Sequence, residues 1–170
     1  MIDETPKPGP GQPLDLDLYI PEGWQGKHPP CLIQVDAEGR LSHQGAPMIH
    51  PGILELIYQN VHLEDGVYVL RLGRQVCQLE VADTFFVVAR VEQGQDGLAL
   101  LLNDGGQEPL DPASLWIGAG EVIYCLVKGG HFPARFLRPA YYQIAELVVE
   151  GPAGFELELA GVRHRLPRRE

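Results

Sequence analysis

The sequence lacks the short motifs by which the common enzyme classes are recognised. It has only two serines, Ser42 and Ser114, and no GxSxG, which argues against a serine hydrolase. It contains no GxxxxGKS/T or GxGxxG nucleotide loop, and its histidines show no HxxxH or HExxH spacing. We therefore predict a protein without catalytic residues, bound metal or cofactor.

Positive charge and long apolar runs are also scarce. The 170 residues include 13 Lys and Arg against 23 Asp and Glu, which gives a net charge of −10. Because nucleic-acid polymers and anionic membranes are bound mainly by clustered cations, neither is a predicted partner. The longest apolar runs, such as LALLL, are too short to cross a bilayer. The amino terminus has neither the basic start nor the apolar segment that are typical of a signal peptide. These features predict a soluble cytoplasmic protein.

Cysteine is rare and without a pattern. Cys31, Cys77 and Cys125 lie far apart, and each stands in an apolar stretch without metal-ligand spacing. This arrangement predicts three small buried side chains in strands. An odd number of cysteines without a pattern is also typical of a reducing compartment.

Proline and glycine are frequent instead, and they divide the chain. Residues 1–30 are rich in both and predict an extended, partly disordered segment, in which LDLDLYI at 14–20 has the alternation of an edge strand. Residues 31–84 and 85–170 each contain strand patterns separated by glycine turns, together with one helical pattern. We predict an α+β fold of two small domains with mostly antiparallel sheets.

These two units repeat one another. A proline opens a helical pattern at 51–61 and again at 139–149, and glycine turns then form a β-hairpin in each unit. Prolines and glycines coincide at a constant offset of 88 residues: Pro51 with Pro139, Gly66 with Gly154, and Gly73 with Gly161. This agreement in the positions of proline and glycine indicates a duplicated helix–β-hairpin motif. Two units of this kind form a cleft at their junction, where a ligand is expected to bind.

A cluster of cations marks the predicted binding site. No acidic residue lies between Glu121 and Glu146, and aromatic residues in this gap are interleaved with Lys128, His131, Arg135 and Arg138. Gly129 and Gly130 allow backbone N–H groups to approach a phosphate, and Arg138 stands at a predicted helix amino terminus. Tyr141 offers a face on which a base can stack. The cluster predicts a site for a small anionic, nucleotide-like ligand. The alternative is that its cations are solvated loop ends and its aromatics belong to the core.

The matching stretch of the first unit, residues 43–50, is the expected opposite wall. It contains His43, Gly45, Pro47 and His50. His43 and His131 occupy equivalent positions of the repeat and could face each other across the junction, although a structural role for each is the simpler interpretation. A nucleotide hydrolase or transferase with either histidine as general base is a further alternative. The basic tail at 163–169 is expected to fray in solvent.

Several short segments recur in a characteristic order: Gly39, then GAP at 45–47, DGVY at 65–68, VADTFF at 81–86, KGG at 128–130 and RPAYY at 138–142. Over most of residues 31–150 this series resembles a bacterial family, the domain of unknown function 1285 (DUF1285). The resemblance implies a two-domain α+β architecture with duplicated motifs and a second domain that looks like a pleckstrin-homology fold. It also implies an interdomain site for a nucleotide-like molecule and a role in signal transduction.

Carried over by position, the site that the resemblance implies consists of Gly45, Pro47, Lys128, Gly129, Gly130, Arg138 and Tyr141. The sequence departs from the family pattern at His50 and Lys128, where an arginine is expected, and at His131, where an apolar residue is usual. We predict a non-enzymatic sensor module that binds a small anionic ligand between its domains. The alternative is a protein–protein interaction module without a small ligand.

Overall fold

The computed structural model describes residues 20–170. The edge strand predicted at 14–20 lies outside them except for its last residue, Ile20, which is exposed. The described residues form two six-stranded sheets, one three-stranded sheet and two α-helices, which confirms the predicted α+β fold. Neither of these helices is long and apolar enough to span a membrane.

The first sheet is built entirely from the first unit. Its strands are β1 (Pro30–Val35), β2 (Leu41–His43), β3 (Ala46–Pro47), β4 (Val61–Glu64), β5 (Val67–Leu72) and β6 (Gln75–Val81). They lie in the order β3-β2-β1-β6-β5-β4, and β1 with β6 is the parallel pair. Helix α1 (Pro51–Asn60) joins β3 to β4 and packs against β5.

The second sheet begins after the chain leaves β6. Its strands are β7 (Phe86–Gly94), β8 (Gly97–Leu102), β9 (Gln107–Pro109), β10 (Trp116–Ile117), β11 (Ile123–Val127) and β12 (Phe132–Phe136). They lie in the order β10-β11-β12-β7-β8-β9, with β12 and β7 parallel. Antiparallel pairing therefore dominates both large sheets, as predicted.

The second copy of the repeat follows. Helix α2 (Arg138–Ala145) leads into the antiparallel sheet of β13 (Val148–Gly151), β14 (Gly154–Leu159) and β15 (Val162–Arg165). A helix followed by a hairpin thus occurs twice, as predicted. Helix α2 ends before the predicted position 149, because Val148 and Val149 pair with β14 instead. Branching at Cβ makes valine better suited to a strand than to a helix.

An aromatic cluster joins the two units. The rings of Tyr58 on α1 and Tyr68 on β5 lie 5.6 and 6.1 Å from that of Phe85. Phe85 in turn contacts Phe86 of β7, whose ring lies 5.0 Å from Phe132 of β12. Each aromatic pair adds about 0.5–1.5 kcal/mol beyond the area it buries. The buried residues of both units form one continuous hydrophobic core.

Two of the three cysteines form a disulfide that the sequence did not predict. Cys31 on β1 and Cys77 on β6 form a disulfide across the parallel strand pair, with their Cα atoms 5.0 Å apart. Both side chains are buried in strands, as predicted, but their pairing was not, because sequence spacing does not reveal which distant strands become neighbours. Cys125 is a buried thiol, as predicted, and burial raises its pKa to about 12.

Candidate functional site

A cleft of about 600 Å³ opens where the two units meet. One wall is the turn between β1 and β2, and the other runs from the segment before β11 to the passage from β12 into α2. The lining residues of the first wall are Ala37, Glu38 and Arg40; those of the second are Gly120, Glu121, Val122, Arg135, Phe136, Leu137, Arg138, Pro139 and Tyr141. The cleft lies at the junction that the repeat predicts.

The β1–β2 turn is fixed both locally and against the second unit. The carboxylate of Asp36 accepts hydrogen bonds from the backbone N–H groups of Glu38 and Arg40, both at 2.9 Å. Gly39, buried and with φ +78°, packs so closely that an added Cβ would lie 2.8 Å from Nδ2 of Asn103. That amide also donates to the Gly39 carbonyl at 3.4 Å. A side chain at Gly39 would press on Asn103, so the first wall is held closely against the second unit.

Helix α2 begins at the cleft. Arg138 is its first residue, Pro139 occupies a position where a missing N–H costs nothing, and no side chain caps the helix. The free N–H groups of the first turn and the helix dipole favour an anion at this point. The exposed Arg138 guanidinium lies 6.0 Å from the ring of Tyr142 and forms no ion pair with a carboxylate of residues 20–170. Tyr141 is partly buried and lines the same wall.

Arg135 is held from behind by an acid. Its Nη1 lies 3.0 Å from Oδ2 of Asp83, and the hydroxyl of Tyr124 donates to the same oxygen at 2.8 Å. Burial, reinforced by the bond to Asp83, raises the pKa of Tyr124 to about 12, so this hydroxyl keeps its proton at neutral pH. The backbone N–H of Arg135 donates to Oγ1 of Thr84 at 3.1 Å. Arg135 is therefore well positioned, but its charge is largely compensated.

Two further ion pairs border the cleft. Arg40 pairs with Glu38 inside the β1–β2 turn. The carboxylate of Glu121 accepts hydrogen bonds from both terminal nitrogens of Arg168, at 2.6 and 3.0 Å. Among the cleft-lining residues of the described chain, Arg138 is thus the cation that no carboxylate balances. The cleft combines one uncompensated guanidinium, a second positioned guanidinium and an aromatic ring, a set suited to a small anion that carries an aromatic group.

Two solved structures share this fold. A DUF1285 family protein from Shewanella baltica superposes with a TM-score of 0.58 at 17% identity, over 68% of this chain and 91% of that chain. One from Silicibacter pomeroyi gives 0.63 at 23% identity, over 79% of this chain and 78% of that chain. The chain resembles DUF1285 proteins in fold. No protein-family model and no curated protein matches the sequence.

The DUF1285 resemblance also implied Lys128, Gly129 and Gly130, which lie apart from the cleft. They form the β11–β12 turn together with the exposed His131, whereas Arg135 and Arg138 follow at the other end of β12. Three steps of the ladder separate the Val127–Phe132 pair from the Tyr124–Arg135 pair, a span of about 10 Å. The cations of the acid-free stretch therefore divide into two groups.

Carboxylates already surround the β11–β12 turn. Lys128 pairs with Asp104 through its side chain, and its backbone N–H donates to Oε1 of Glu108 at 2.9 Å. Its ammonium nitrogen also lies 5.1 Å from the ring centre of Phe86. The stretch therefore lacks acidic residues in the sequence but not in the folded protein, because the segment around β9 places carboxylates next to it. We expect no anionic ligand at this turn.

The remaining predicted residues lie in the first unit, outside the cleft. His50 caps α1, with Nδ1 accepting from a backbone N–H of the first turn at 3.4 Å. His43 is exposed at the end of β2, and neither its side chain nor that of His131 makes a hydrogen bond within residues 20–170. Gly45 (φ +83°) serves the β2–β3 turn, with open space where a Cβ would lie. Pro47 borders a neighbouring depression of about 640 Å³.

The basic tail at 163–169 begins in the final strand β15 and its arginines are exposed to solvent, but the expectation that it frays is wrong. Leu166 is buried, and the backbone of Ile117 in β10 bonds on both sides to the tail. It donates to the Pro167 carbonyl and accepts from the Arg169 N–H, both at 2.9 Å. Sequence reasoning also missed Arg40 as a cleft residue. No sequence pattern showed that the turn around Gly39, where Arg40 stands, faces the second unit.

Proposed function

We propose that the protein is a non-enzymatic sensor module that binds a small anionic, nucleotide-like ligand in the junctional cleft and acts in signal transduction. Arg138 carries the proposal, because it stands at the uncapped start of α2 without a balancing carboxylate among the described residues. Arg135 adds a second guanidinium, and Tyr141 adds a surface for a base. A ligand held against both walls would couple the two units, which is the property a sensor needs.

The composition of the cleft supports binding without turnover. Among the residues that the structure describes, those lining the cleft include no histidine, serine or cysteine. The carboxylates of the wall, Glu38 and Glu121, could act as general bases, but each is held in an ion pair with an arginine, Arg40 and Arg168 respectively. His43 and His131, the bases of the hydrolase alternative, both lie elsewhere.

The cytoplasmic location remains part of this proposal, and one observation weighs against it. The Cys31–Cys77 disulfide is of a kind that persists mainly in oxidising compartments. Alkylation of thiols in freshly lysed cells distinguishes the two cases. Three modified cysteines would support a reducing compartment, whereas modification of Cys125 alone under denaturing conditions would support an oxidising one.

A thermal-shift screen tests the binding proposal. The probes are nucleoside mono-, di- and triphosphates, cyclic nucleotides, dinucleotides and inorganic phosphate. A ligand at a hundred times its dissociation constant stabilises the fold by about 2.7 kcal/mol, which raises Tm by about 5–10 °C for a chain of this size. We expect a shift for one nucleotide class that Arg138→Ala removes.

The matched control is Arg74→Ala, which removes the same charge from the exposed β5–β6 turn, away from the cleft. It should respond to the ligand as the wild type does. Equal loss of response in both variants would mean that net charge, rather than the cleft, governs binding. An unchanged response in Arg138→Ala would remove Arg138 from the site.

A protein-interaction module is the second candidate function. It is favoured by the exposure of large apolar side chains, such as Ile49 at 82% and Tyr142 at 56%. Isolated exposed apolar residues are common, so this observation is weaker than the charge arrangement of the cleft. This candidate would be favoured if no probe shifted Tm and if the protein bound a protein partner that Ile49→Asp releases.

A further inference from the structure

We infer that Arg168, in the carboxyl-terminal tail, is a positioning residue of the junctional site. By pairing with Glu121 it neutralises a carboxylate on the cleft wall that would otherwise repel an anionic ligand. This inference rests on the proposed function and adds to it a segment more than forty residues away along the chain. Arg168 does not itself line the cleft, so it acts through Glu121.

The pair has the geometry of a strong ion pair. Nη1 and Nη2 of Arg168 each donate to a different oxygen of Glu121, at 2.6 and 3.0 Å. The planar fork of arginine matches a carboxylate in this way, whereas a lysine does not. The hydrogen bonds from Arg168 lower the pKa of Glu121 below its usual range, so the carboxylate is ionised at neutral pH.

The tail is anchored independently of this pair. Leu166 is only 3% exposed, and the two backbone hydrogen bonds to Ile117 fix the residues on either side of Arg168. The guanidinium of Arg169 lies 4.9 Å from the ring centre of Trp116. Removal of the Arg168 side chain should therefore leave the tail in place, and its effect on binding can be separated from unfolding.

Glu121 is also held in an uncommon backbone conformation. Its φ of +63° lies in the left-handed region, directly after Gly120 at +66°. Residues with a Cβ rarely adopt this region, where they lose about 1–2 kcal/mol. The pair with Arg168 restrains the side chain of a residue whose backbone is already strained, which keeps the carboxylate turned toward the tail.

The size of the effect follows from Coulomb's law. A cleft of about 600 Å³ is about 10 Å across, so Glu121 lies within about one Debye length of a bound anion. An unpaired charge at that distance in a watery cleft changes affinity by about two- to fivefold. The effect should shrink at 1 M salt, where screening acts over about 3 Å.

The test compares four proteins: the wild type, Arg168→Ala, Glu121→Gln and the double variant. Inorganic pyrophosphate and the nucleotide selected by the thermal-shift screen are the probes, and calorimetry gives Kd at low salt and at 1 M salt. We expect Arg168→Ala to weaken binding about threefold, and Arg168→Lys to retain most of the affinity. The double variant should bind as Glu121→Gln does, because the repelling charge is gone.

Each alternative outcome has a distinct meaning. If the double variant binds as weakly as Arg168→Ala, or if Arg168→Ala binds as the wild type does, the inference is overturned while the proposed function stands. If the wild type itself binds none of the probes, the proposed function fails and the inference falls with it. An NMR titration adds a ligand-free readout: the pKa of Glu121 should rise in Arg168→Ala, and an unchanged pKa would refute the pairing.

Discussion

The two units end with the same helix–hairpin motif but complete their sheets differently. In the first, the strands after the helix rejoin the opening hairpin, because β6 pairs in parallel with β1. In the second, β13, β14 and β15 stay in a sheet of their own, and β12 takes β7 as its parallel partner. Within residues 20–170, the tail after β15 makes one isolated parallel bridge to the second large sheet, between Ile117 and Arg168. A duplicated local motif therefore does not determine which strands become its neighbours.

The reason lies in the side chains of the last strand. β6 buries Cys77 and Leu79 on one face, so it can occupy the middle of a sheet. Its counterpart, β15, has the sequence VRHR and buries none of its residues. Pro167 then removes a backbone donor that a continued ladder would need. The second unit accordingly leaves a cleft-bordering tail where the first has a central strand.

The largest expected effect concerns the disulfide, which only the first unit has. Cys31 and Cys77 are 46 residues apart, and a crosslink over such a loop stabilises the fold by about 4 kcal/mol. We expect dithiothreitol to lower Tm by about 8–16 °C. The Cys31→Ala/Cys77→Ala variant, measured beside it, should not respond to the reductant. Equal Tm values for the reduced and oxidised wild type would contradict the crosslink.

A smaller effect tests whether the units remain one cooperative body. Ile57 of α1 and Ile144 of α2 are both fully buried. Truncating either to alanine should lower the free energy of unfolding by about 2–5 kcal/mol. Because the core is continuous, each variant should still unfold in a single transition by calorimetry. Two transitions in either variant would show that the units unfold separately.

The smallest effect separates two left-handed glycines of the first unit. Gly39 (φ +78°) faces Asn103 of the second unit, whereas Gly45 (φ +83°) has open space around it. Gly45→Ala should cost only the conformational penalty, about 1–2 kcal/mol. Gly39→Ala should cost at least about 1 kcal/mol more, since its methyl group would press on the junction. Equal denaturation midpoints for the two variants would mean that the packing at the junction accommodates the methyl group without loss of stability.

The local elements were largely predictable from the sequence. Pro51 and the helical pattern after it marked α1 to within a residue, and the glycine turns at Gly66 and Gly73 marked the strands that follow it. Short-range backbone preferences decide such elements, and the residues concerned stand next to each other. Helix α2 was predicted too long, because pairing of Val148 and Val149 with β14 outweighed the helical spacing.

The candidate site was predictable only in part. Arg135, Arg138 and Tyr141 were found from the acid-free stretch and do line one cleft. Lys128 belongs to the same stretch but lies at the far end of β12, since a strand carries residues apart by about 3.3 Å each. Whether a cation is free or paired depends on which carboxylates lie near it in space, here Asp83, Asp104 and Glu121. These residues are far from their partners along the chain, so the sequence does not show the pairing.

The sequence by itself determined the class of the fold, the two helix–hairpin repeats and the overall excess of negative charge. These follow from composition, periodicity and the placement of proline and glycine, all of which act over a few residues. Only the tertiary structure decided that Cys31 meets Cys77, that Arg168 meets Glu121 and that Arg138 has no carboxylate partner among residues 20–170. Those contacts depend on which strands become neighbours, and strand order is set by burial of the whole chain around one core.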